Sequence, residues 1–371
     1  MIPAARTRFL RPSPIRALSE GAPAGAIPMG LGEPGWALPK PARQALAELQ
    51  GPCAYGPNAG LPELREAVAA FHTESLDRVM LACGSQGALF ALFQAWLEPG
   101  DIVLVPDPGF LAYPTLAQLA GAEARTYGLG PHFSLDPDRF QEALQQHPET
   151  KLALVNHPAN PTGGGASRAA LCEIAELCEA QNVLLISDEV YRELYLGERP
   201  PSLREVTDTG LVLGSVSKAW GAPGLRVGWA LGDSRWLAPA RLLHASMVTA
   251  PARPSQLAAL ALLQHSESVL TQGRTELNLR WQAFSQAFLM HFKYQPEQAS
   301  GGFYHWLALP PHGVADPMAF CLRLRDEGGV VVVPGFAFGE GGRGHVRLSF
   351  GGNPLDIAEG LGRLAPFWRP M

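Results

Sequence analysis

Leu211-Val212-Leu213-Gly214-Ser215-Val216-Ser217-Lys218, followed by Gly224-Leu225-Arg226-Val227-Gly228, decides how this chain is read. An apolar run ends in two hydroxyl residues and a lysine. A Gly/Pro-rich turn follows, and an arginine opens the next apolar run. Such a strand exit gathers an amine, hydroxyls and a guanidinium at the carboxyl edge of a sheet, where α/β proteins hold anionic ligands. Lysine is scarce: Lys40, Lys151, Lys218 and Lys293 are the only four. Of these, Lys218 has the setting of an amine nucleophile.

Outward from that stretch the pattern alternates. Apolar runs at Val79–Cys83, Ile102–Pro106, Leu152–Asn156, Val183–Ser187, Leu211–Gly214 and Val227–Leu231 predict strands. Helical periodicity at Pro62–His72, Gln86–Trp96, Tyr113–Leu119, Pro137–Gln146 and Arg168–Ala180 fills most of the gaps. Strands apolar on both faces, separated by amphipathic helices, predict an α/β fold with a mostly parallel sheet covered on both sides. A shorter helix is predicted over Pro41–Leu49, and Met29–Trp36 reads as a short strand entering a loop. After Gln256 two long helical segments run to about Phe292. Short strands at Phe303–Leu307, Val330–Val333 and His345–Phe350, with two helices, then predict a smaller α+β unit. The expected organisation is an N-terminal arm over 1–25, a large unit over 40–265, and a small unit from 26–39 and 266–371.

Composition narrows the function classes. At 371 residues with 47% hydrophobic and 17% charged residues, the chain has the make-up of an ordinary globular protein. A formal net charge of −5 leaves no basic footprint, so nucleic acid is not an expected partner. No run of eighteen apolar residues occurs, and the arginine- and proline-rich start lacks the apolar core of a signal peptide. The five cysteines (Cys53, Cys83, Cys172, Cys178, Cys321) have no Cys-x-x-Cys or zinc spacing. They are expected to be buried free thiols in a reducing compartment, the cytoplasm. No metal site is expected.

The residues after each predicted strand carry the chemistry, because those exits meet in one crevice. Gly84-Ser85-Gln86 opens a helix and offers backbone N–H groups and a hydroxyl to a phosphate, although Gly-Ser is also an ordinary helix start. Phe110 can stack on a planar ring, or simply anchor its loop. Asn160-Pro161-Thr162-Gly163 presents a neutral donor and acceptor, or only a turn. Asp188 at a buried strand end needs a partner, either a structural cation or a protonated ring nitrogen; Tyr191 can bond a phenolic oxygen. Ser215, Ser217 and Arg226 suit a phosphate dianion. Together these exits describe a ligand with a phosphate, an aromatic ring, a ring nitrogen, a ring hydroxyl and an aldehyde. Pyridoxal 5′-phosphate meets all of these requirements.

From about Gly30 to Phe350 the chain resembles the class I/II aminotransferases, the fold-type-I pyridoxal-phosphate enzymes of the aspartate aminotransferase superfamily. The motifs that carry the resemblance are Gly32-x-Pro34, Tyr55-Gly56-x-x-x-Gly60, Asn160-Pro161-Thr162-Gly163, Asp188-Glu189-x-Tyr191, Ser215-x-Ser217-Lys218, Arg226-x-Gly228 and Arg347-x-Ser349-Phe350. The resemblance implies a seven-stranded mixed, mostly parallel sheet and a homodimer with shared active sites. It implies that Lys218 forms the Schiff base with the cofactor aldehyde, that Asp188 pairs with the ring nitrogen, and that Asn160 and Tyr191 bind the ring hydroxyl. Phe110 would stack on the ring. Gly84, Ser85, Gln86, Ser215, Ser217 and Arg226 would hold the phosphate, and Tyr55 would reach the phosphate of the neighbouring subunit. Arg347, backed by Gly32 and Asn160, would clamp the substrate α-carboxylate.

The implied activity is ping-pong transamination between an amino acid and a 2-oxo acid. Many relatives carry an acidic residue after Gly-x-Pro, where this chain has Gly35 and Trp36. The amino donor is therefore open among aspartate, alanine, aromatic or branched amino acids and N-succinyl-diaminopimelate. Neither His244 nor Arg253 is assigned to a second substrate carboxylate. Three rivals stand beside this reading. A carbon–sulfur β-elimination lyase would use the same cofactor residues. Ser215-x-x-Lys218 also matches the serine-lysine motif of penicillin-binding proteins, but their Lys-Thr-Gly element is missing. A non-catalytic pyridoxal-phosphate regulator would need a DNA-binding extension longer than the arm.

Overall fold

Leu211–Ser215 is a buried strand near the middle of a seven-stranded sheet in the computed structural model of the chain, which describes residues 2 and 4–369. In chain order the strands are β1 (Ile27–Pro28), β2 (Val79–Ala82), β3 (Ile102–Asp107), β4 (Glu123–Gly128), β5 (Thr150–Asn156), β6 (Leu184–Asp188), β7 (Leu211–Ser215), β8 (Gly228–Leu231), β9 (Tyr304–Ala308), β10 (Val330–Val331), β11 (Val333–Pro334) and β12 (His345–Ser349). The large sheet runs β2-β8-β7-β6-β5-β3-β4. Only β8 is antiparallel to its neighbours, β2 and β7.

Alternating side chains build two cores. Val103 and Val105 of β3, Leu152 and Leu154 of β5, Leu184 and Ile186 of β6, and Leu211 and Leu213 of β7 face one cluster with helices Gly84–Trp96, Ala112–Leu119 and Ser234–Val248. Leu104, Ala153, Val155, Leu185 and Val212 face the other, under helices Pro62–His72, Pro137–Gln146, Arg168–Ala180 and Arg253–Gln264. Each such leucine or valine contributes about 1.5–3 kcal/mol by leaving water. The double-sided burial explains why these strands read as continuous apolar runs.

The edge strand β4 has no such run. Of Glu123-Ala124-Arg125-Thr126-Tyr127-Gly128, only Tyr127 is buried. One neighbour and a solvent-facing side leave polar residues tolerated there. The six apolar runs are thus joined by a seventh strand that hydropathy does not mark. The helix Ser234–Val248 likewise lies where only the general α/β alternation pointed.

The C-terminal part departs from expectation in one respect. Val330–Val333 is not one strand: Val330–Val331 pairs in parallel with β1, whereas Val333–Pro334 joins β12 and β9 in a three-stranded antiparallel sheet. The β1–β10 pairing brings both ends of the chain into this smaller α+β assembly. The arm holds a short helix, Pro14–Glu20, whose Leu18 is buried in the core and whose Ile15 packs beside Val333 and Phe338. Positions 1 and 3 of the expected arm, and 370 and 371 of the expected small unit, lie outside the described residues. All five cysteines are unpaired, but Cys53 is exposed, and only Cys178 and Cys321 are fully buried. Cys53 sits in the Gly/Pro-rich stretch before Gly60, which forms no helix or strand. Among the described residues no helix is long and apolar enough to cross a membrane, and no group of His, Cys, Asp and Glu has metal-binding geometry.

Candidate active site

The topology brings the strand exits together. The carboxyl ends of β2, β3, β5, β6 and β7 share one edge of the sheet. Because β8 runs the other way, its start also lies there, with Gly228 opposite both Ser215 and Ala82. Arg226 is thereby carried to the same edge as Gly84, Ser215 and Lys218.

At this edge Asp188 ends β6 in a buried position. Its Oδ2 accepts a hydrogen bond from the Tyr113 hydroxyl at 2.8 Å, and its backbone carbonyl accepts one from Asn156 Nδ2 at 2.8 Å. No cation pairs with this carboxylate among the described residues. Burial pushes its pKa up to about 6, opposed by the Tyr113 bond, the Val190 backbone N–H and the charge of Lys218. Glu189, one residue on, is pushed up to about 7 by burial, with Leu203, Ser202, Arg192 and Ser187 opposing. Burial in turn holds His157, hydrogen-bonded to Ser187 at 3.0 Å, down at about 3.

The raised pKa of Asp188 makes stability depend on pH. The unfolded value lies near 3.8, below the folded one, so the carboxyl's contribution is fully present below about pH 3.8 and is lost as pH rises through about 6. Asp188→Asn, which does not ionise, should therefore gain stability relative to the ligand-free native chain over that window, by up to about 3 kcal/mol. Thermal melts of both proteins between pH 4 and 7.5 test this. A difference that does not change with pH would contradict it.

Lys218 follows β7, and its Nζ donates to the Gly32 carbonyl at 2.6 Å. The ammonium also lies 5.6 Å from the Tyr191 ring centroid and 6.0 Å from that of Phe303. Tyr191 is buried, its hydroxyl 2.7 Å from that of Tyr304. Burial and the Tyr304 neighbour push its pKa well above the ordinary phenol value, so it stays neutral.

Arg347 is 2% exposed, which excludes a surface strand arginine. Its Nη1 donates to Asn160 Oδ1 at 2.6 Å and its Nη2 to the Gly30 carbonyl at 2.7 Å. Its guanidinium carbon lies 4.4 Å from the Tyr304 ring centroid and 4.7 Å from that of Phe338. Its Nε is buried with no hydrogen-bond partner, and no carboxylate pairs with it among the described residues. Burial lowers its pKa, with Tyr304 and Tyr191 opposing.

The anion cradle is built around Gly84, at φ +76°. A methyl there would come within 2.4 Å of Arg226 Nη2, so only glycine lets the guanidinium reach the helix start. No side chain caps helix Gly84–Trp96, and its first N–H groups are available to an anion. Ser85 flanks that end, half-buried, and Gln86 is exposed. Ser215 and Ser217 are buried, with Ser215 Oγ accepting from the Ser217 N–H at 3.3 Å. Phe110 is half-buried and meets Tyr113 edge-on at 5.5 Å.

A profile describing the class I and II aminotransferases matches residues 26–364. The chain belongs to that family. The aminotransferase is 28% identical over 373 residues to a probable aspartate aminotransferase of Methanocaldococcus jannaschii, covering 96% of this chain and 97% of that one. It is 32% identical over 354 residues to an aspartate/prephenate aminotransferase of Thermus thermophilus, covering 91% and 90%. Its fold superposes on the N-succinyldiaminopimelate aminotransferase of Mycobacterium tuberculosis with a TM-score of 0.90 at 26% identity, over 99% of this chain and all of that one.

Of the residues that the resemblance implies for the site, Tyr55 stands apart in this aminotransferase. It is 87% exposed and forms no hydrogen bond with its side chain among the described residues. His244 is structural: its Nε2 accepts the Cys83 N–H at 3.1 Å, behind the start of the Gly84 helix. Arg253 begins the next helix, at the surface. Sequence reasoning missed Tyr113, Asn156, Tyr304 and Phe338. Tyr113 lies one helical turn beyond Phe110, and Asn156 sits beside Asp188 in the β5–β6 register, so both had a local signal. Tyr304 and Phe338 had none, because their place beside Arg347 depends on the small-sheet pairing.

Proposed function

We propose that this aminotransferase works with pyridoxal 5′-phosphate, exchanging an α-amino group between an amino acid and a 2-oxo acid in two half-reactions. One observation carries the reading. The crevice holds a buried carboxylate, Asp188, and a buried guanidinium, Arg347, and among the described residues neither is paired with an oppositely charged side chain. Burying a lone charge is costly. A ligand with a protonated ring nitrogen at one end and a carboxylate at the other relieves both costs. The cradle of Gly84, Ser85, Gln86, Ser215, Ser217 and Arg226 suits the phosphate of such a ligand.

When bound, pyridoxal phosphate supplies an aldehyde for the amino group and a protonated ring that draws electrons from the substrate Cα. In this reading Asp188 keeps the ring nitrogen protonated, and Tyr113 holds Asp188 in place. Phe110 covers one face of the ring. Asn160 gives its Oδ1 to Arg347, which leaves its NH2 group for the ring hydroxyl, alongside Tyr191. Arg347 orients the α-carboxylate, so that the substrate Cα–H points at Lys218. The lysine amine then takes that proton as general base and returns one to complete the transfer. The Gly32 carbonyl accepts a hydrogen bond from that amine at 2.6 Å when it is not joined to the cofactor aldehyde.

The reading includes a homodimer, supported by the exposure of Tyr55, which is proposed to reach the neighbouring subunit's phosphate. It includes cytoplasmic residence, supported by five unpaired thiols. The division at residues 25/26, 39/40 and 265/266 is also proposed, and the β1–β10 pairing supports joining 26–39 to the C-terminal unit. The amino donor is proposed to lie among those named for the relatives: aspartate, prephenate's amino product, or N-succinyl-diaminopimelate. A panel of amino donors against 2-oxoglutarate and pyruvate tests the function. Amino transfer that depends on the 2-oxo acid is expected. Release of pyruvate and ammonia from cystathionine, without such transfer, would make the chain a β-elimination lyase.

A further inference from the structure

The carboxylate of Asp107 has no role in the chemistry of the crevice, yet it sits where the two halves of that crevice meet. It is the last residue of β3 and stands directly before Pro108-Gly109-Phe110, the loop that carries the proposed ring wall. Its Oδ1 accepts the Gly341 N–H at 2.9 Å. Two residues on, the Gly109 N–H donates to the Phe338 carbonyl at 2.8 Å. Two hydrogen bonds thus tie the exit loop of the seven-stranded sheet to the Gly335–Gly342 segment. That segment leads into β12 and Arg347, and its Phe338 ring covers the Arg347 guanidinium.

The approach is close on both sides. Gly339 has φ +124°, and a methyl there would lie 2.1 Å from Asp107 Oδ1; one at Gly341 would lie 3.1 Å from it. Only glycines let the segment sit this near the carboxylate. Arg343, which directly follows the segment, pairs with Glu340 and not with Asp107. The Asp107 carboxylate is therefore spent on a backbone N–H across the crevice.

We propose that Asp107 is a positioning residue: through Gly341 and the adjoining Gly109–Phe338 bond it sets the gap between the Phe110 wall and the Phe338–Arg347 clamp. It thereby governs affinity for the substrate carboxylate without touching substrate. The proposal rests on Phe110 walling the ring and Arg347 clamping the carboxylate. Misplacing a binding group by about 1 Å can cost up to about a hundredfold in rate.

The test compares Asp107→Ala, Asp107→Glu and Asp107→Asn in the holoenzyme. Asp107→Ala removes the acceptor, and KM for the amino donor should rise about tenfold, with kcat and pyridoxal phosphate affinity changed less than about threefold. Asp107→Glu keeps charge and acceptor but pushes one methylene into Gly339, and should raise KM similarly even if the alanine variant folds poorly. Asp107→Asn keeps an oxygen of the same reach and should restore KM to within about threefold of the native value. In an Arg347→Leu background, Asp107→Ala should change kcat/KM by less than about twofold, because it acts through the clamp. An unchanged KM in both the alanine and glutamate variants, or an equal loss with and without Arg347, would overturn the proposal. If Arg347→Leu alone leaves KM unchanged, it is the clamp reading that has failed, and that result is distinguishable from failure of Asp107.

Discussion

Lys218→Ala should lower amino-transfer turnover by about 10⁴-fold, the upper end of what a positioned general base contributes. No other amine can take its place. Lys151 is ion-paired to Asp101 at 2.6 Å, at the opposite end of β5 from the crevice, and Lys40 and Lys293 are exposed. Lys218 is also held over the Tyr191 and Phe303 rings, a setting that flexible surface lysines lack. The variant should still bind pyridoxal phosphate, because the cradle at Gly84 and Arg226 and the Asp188 carboxylate are untouched. Borohydride should then no longer fix the cofactor to the chain. Turnover within tenfold of native would remove Lys218 from the mechanism.

Arg347→Leu should raise KM for α-amino acids by about 100- to 1,000-fold, equivalent to about 3–4 kcal/mol for a bidentate, charge-assisted contact made in a buried site. Pyridoxal phosphate affinity should change by no more than a few-fold, since the guanidinium touches Asn160, Gly30, Tyr304 and Phe338 but none of the cradle residues. The melting temperature is not expected to fall in proportion. The variant loses two hydrogen bonds but also removes a buried cation that has no carboxylate partner in the ligand-free chain. Steady-state kinetics with two donors, a cofactor titration and a thermal melt separate these effects. Loss of cofactor with unchanged KM would assign Arg347 to the cofactor site.

These predictions rest on residues of two kinds. Asp188, Asn160, Ser215, Ser217 and Lys218 are legible in the sequence because each ends, or closely follows, a strand buried on both faces. In an α/β chain, polar residues that end a continuous apolar run mark the point where a buried strand reaches the ligand crevice. Edge strand β4 escapes that logic, since one exposed side removes the apolar requirement. Val330–Val333 reads as one strand, although its two halves serve different sheets, because hydropathy records burial and not the identity of the neighbour.

The sequence by itself determined the alternating α/β order and the strand exits that carry polar chemistry, both of which depend on local periodicity and spacing, and the motifs at those exits carried the resemblance to the family. Only the tertiary structure decided that Arg347 is buried without a counter-ion, that Tyr304 and Phe338 wall its guanidinium, and that Asp107 reaches across to Gly341. Those contacts join residues 187 to 317 positions apart, or depend on the pairing of β12 with β9. Burial and partnership at such separations follow from chain packing, which a linear pattern of residue types does not encode.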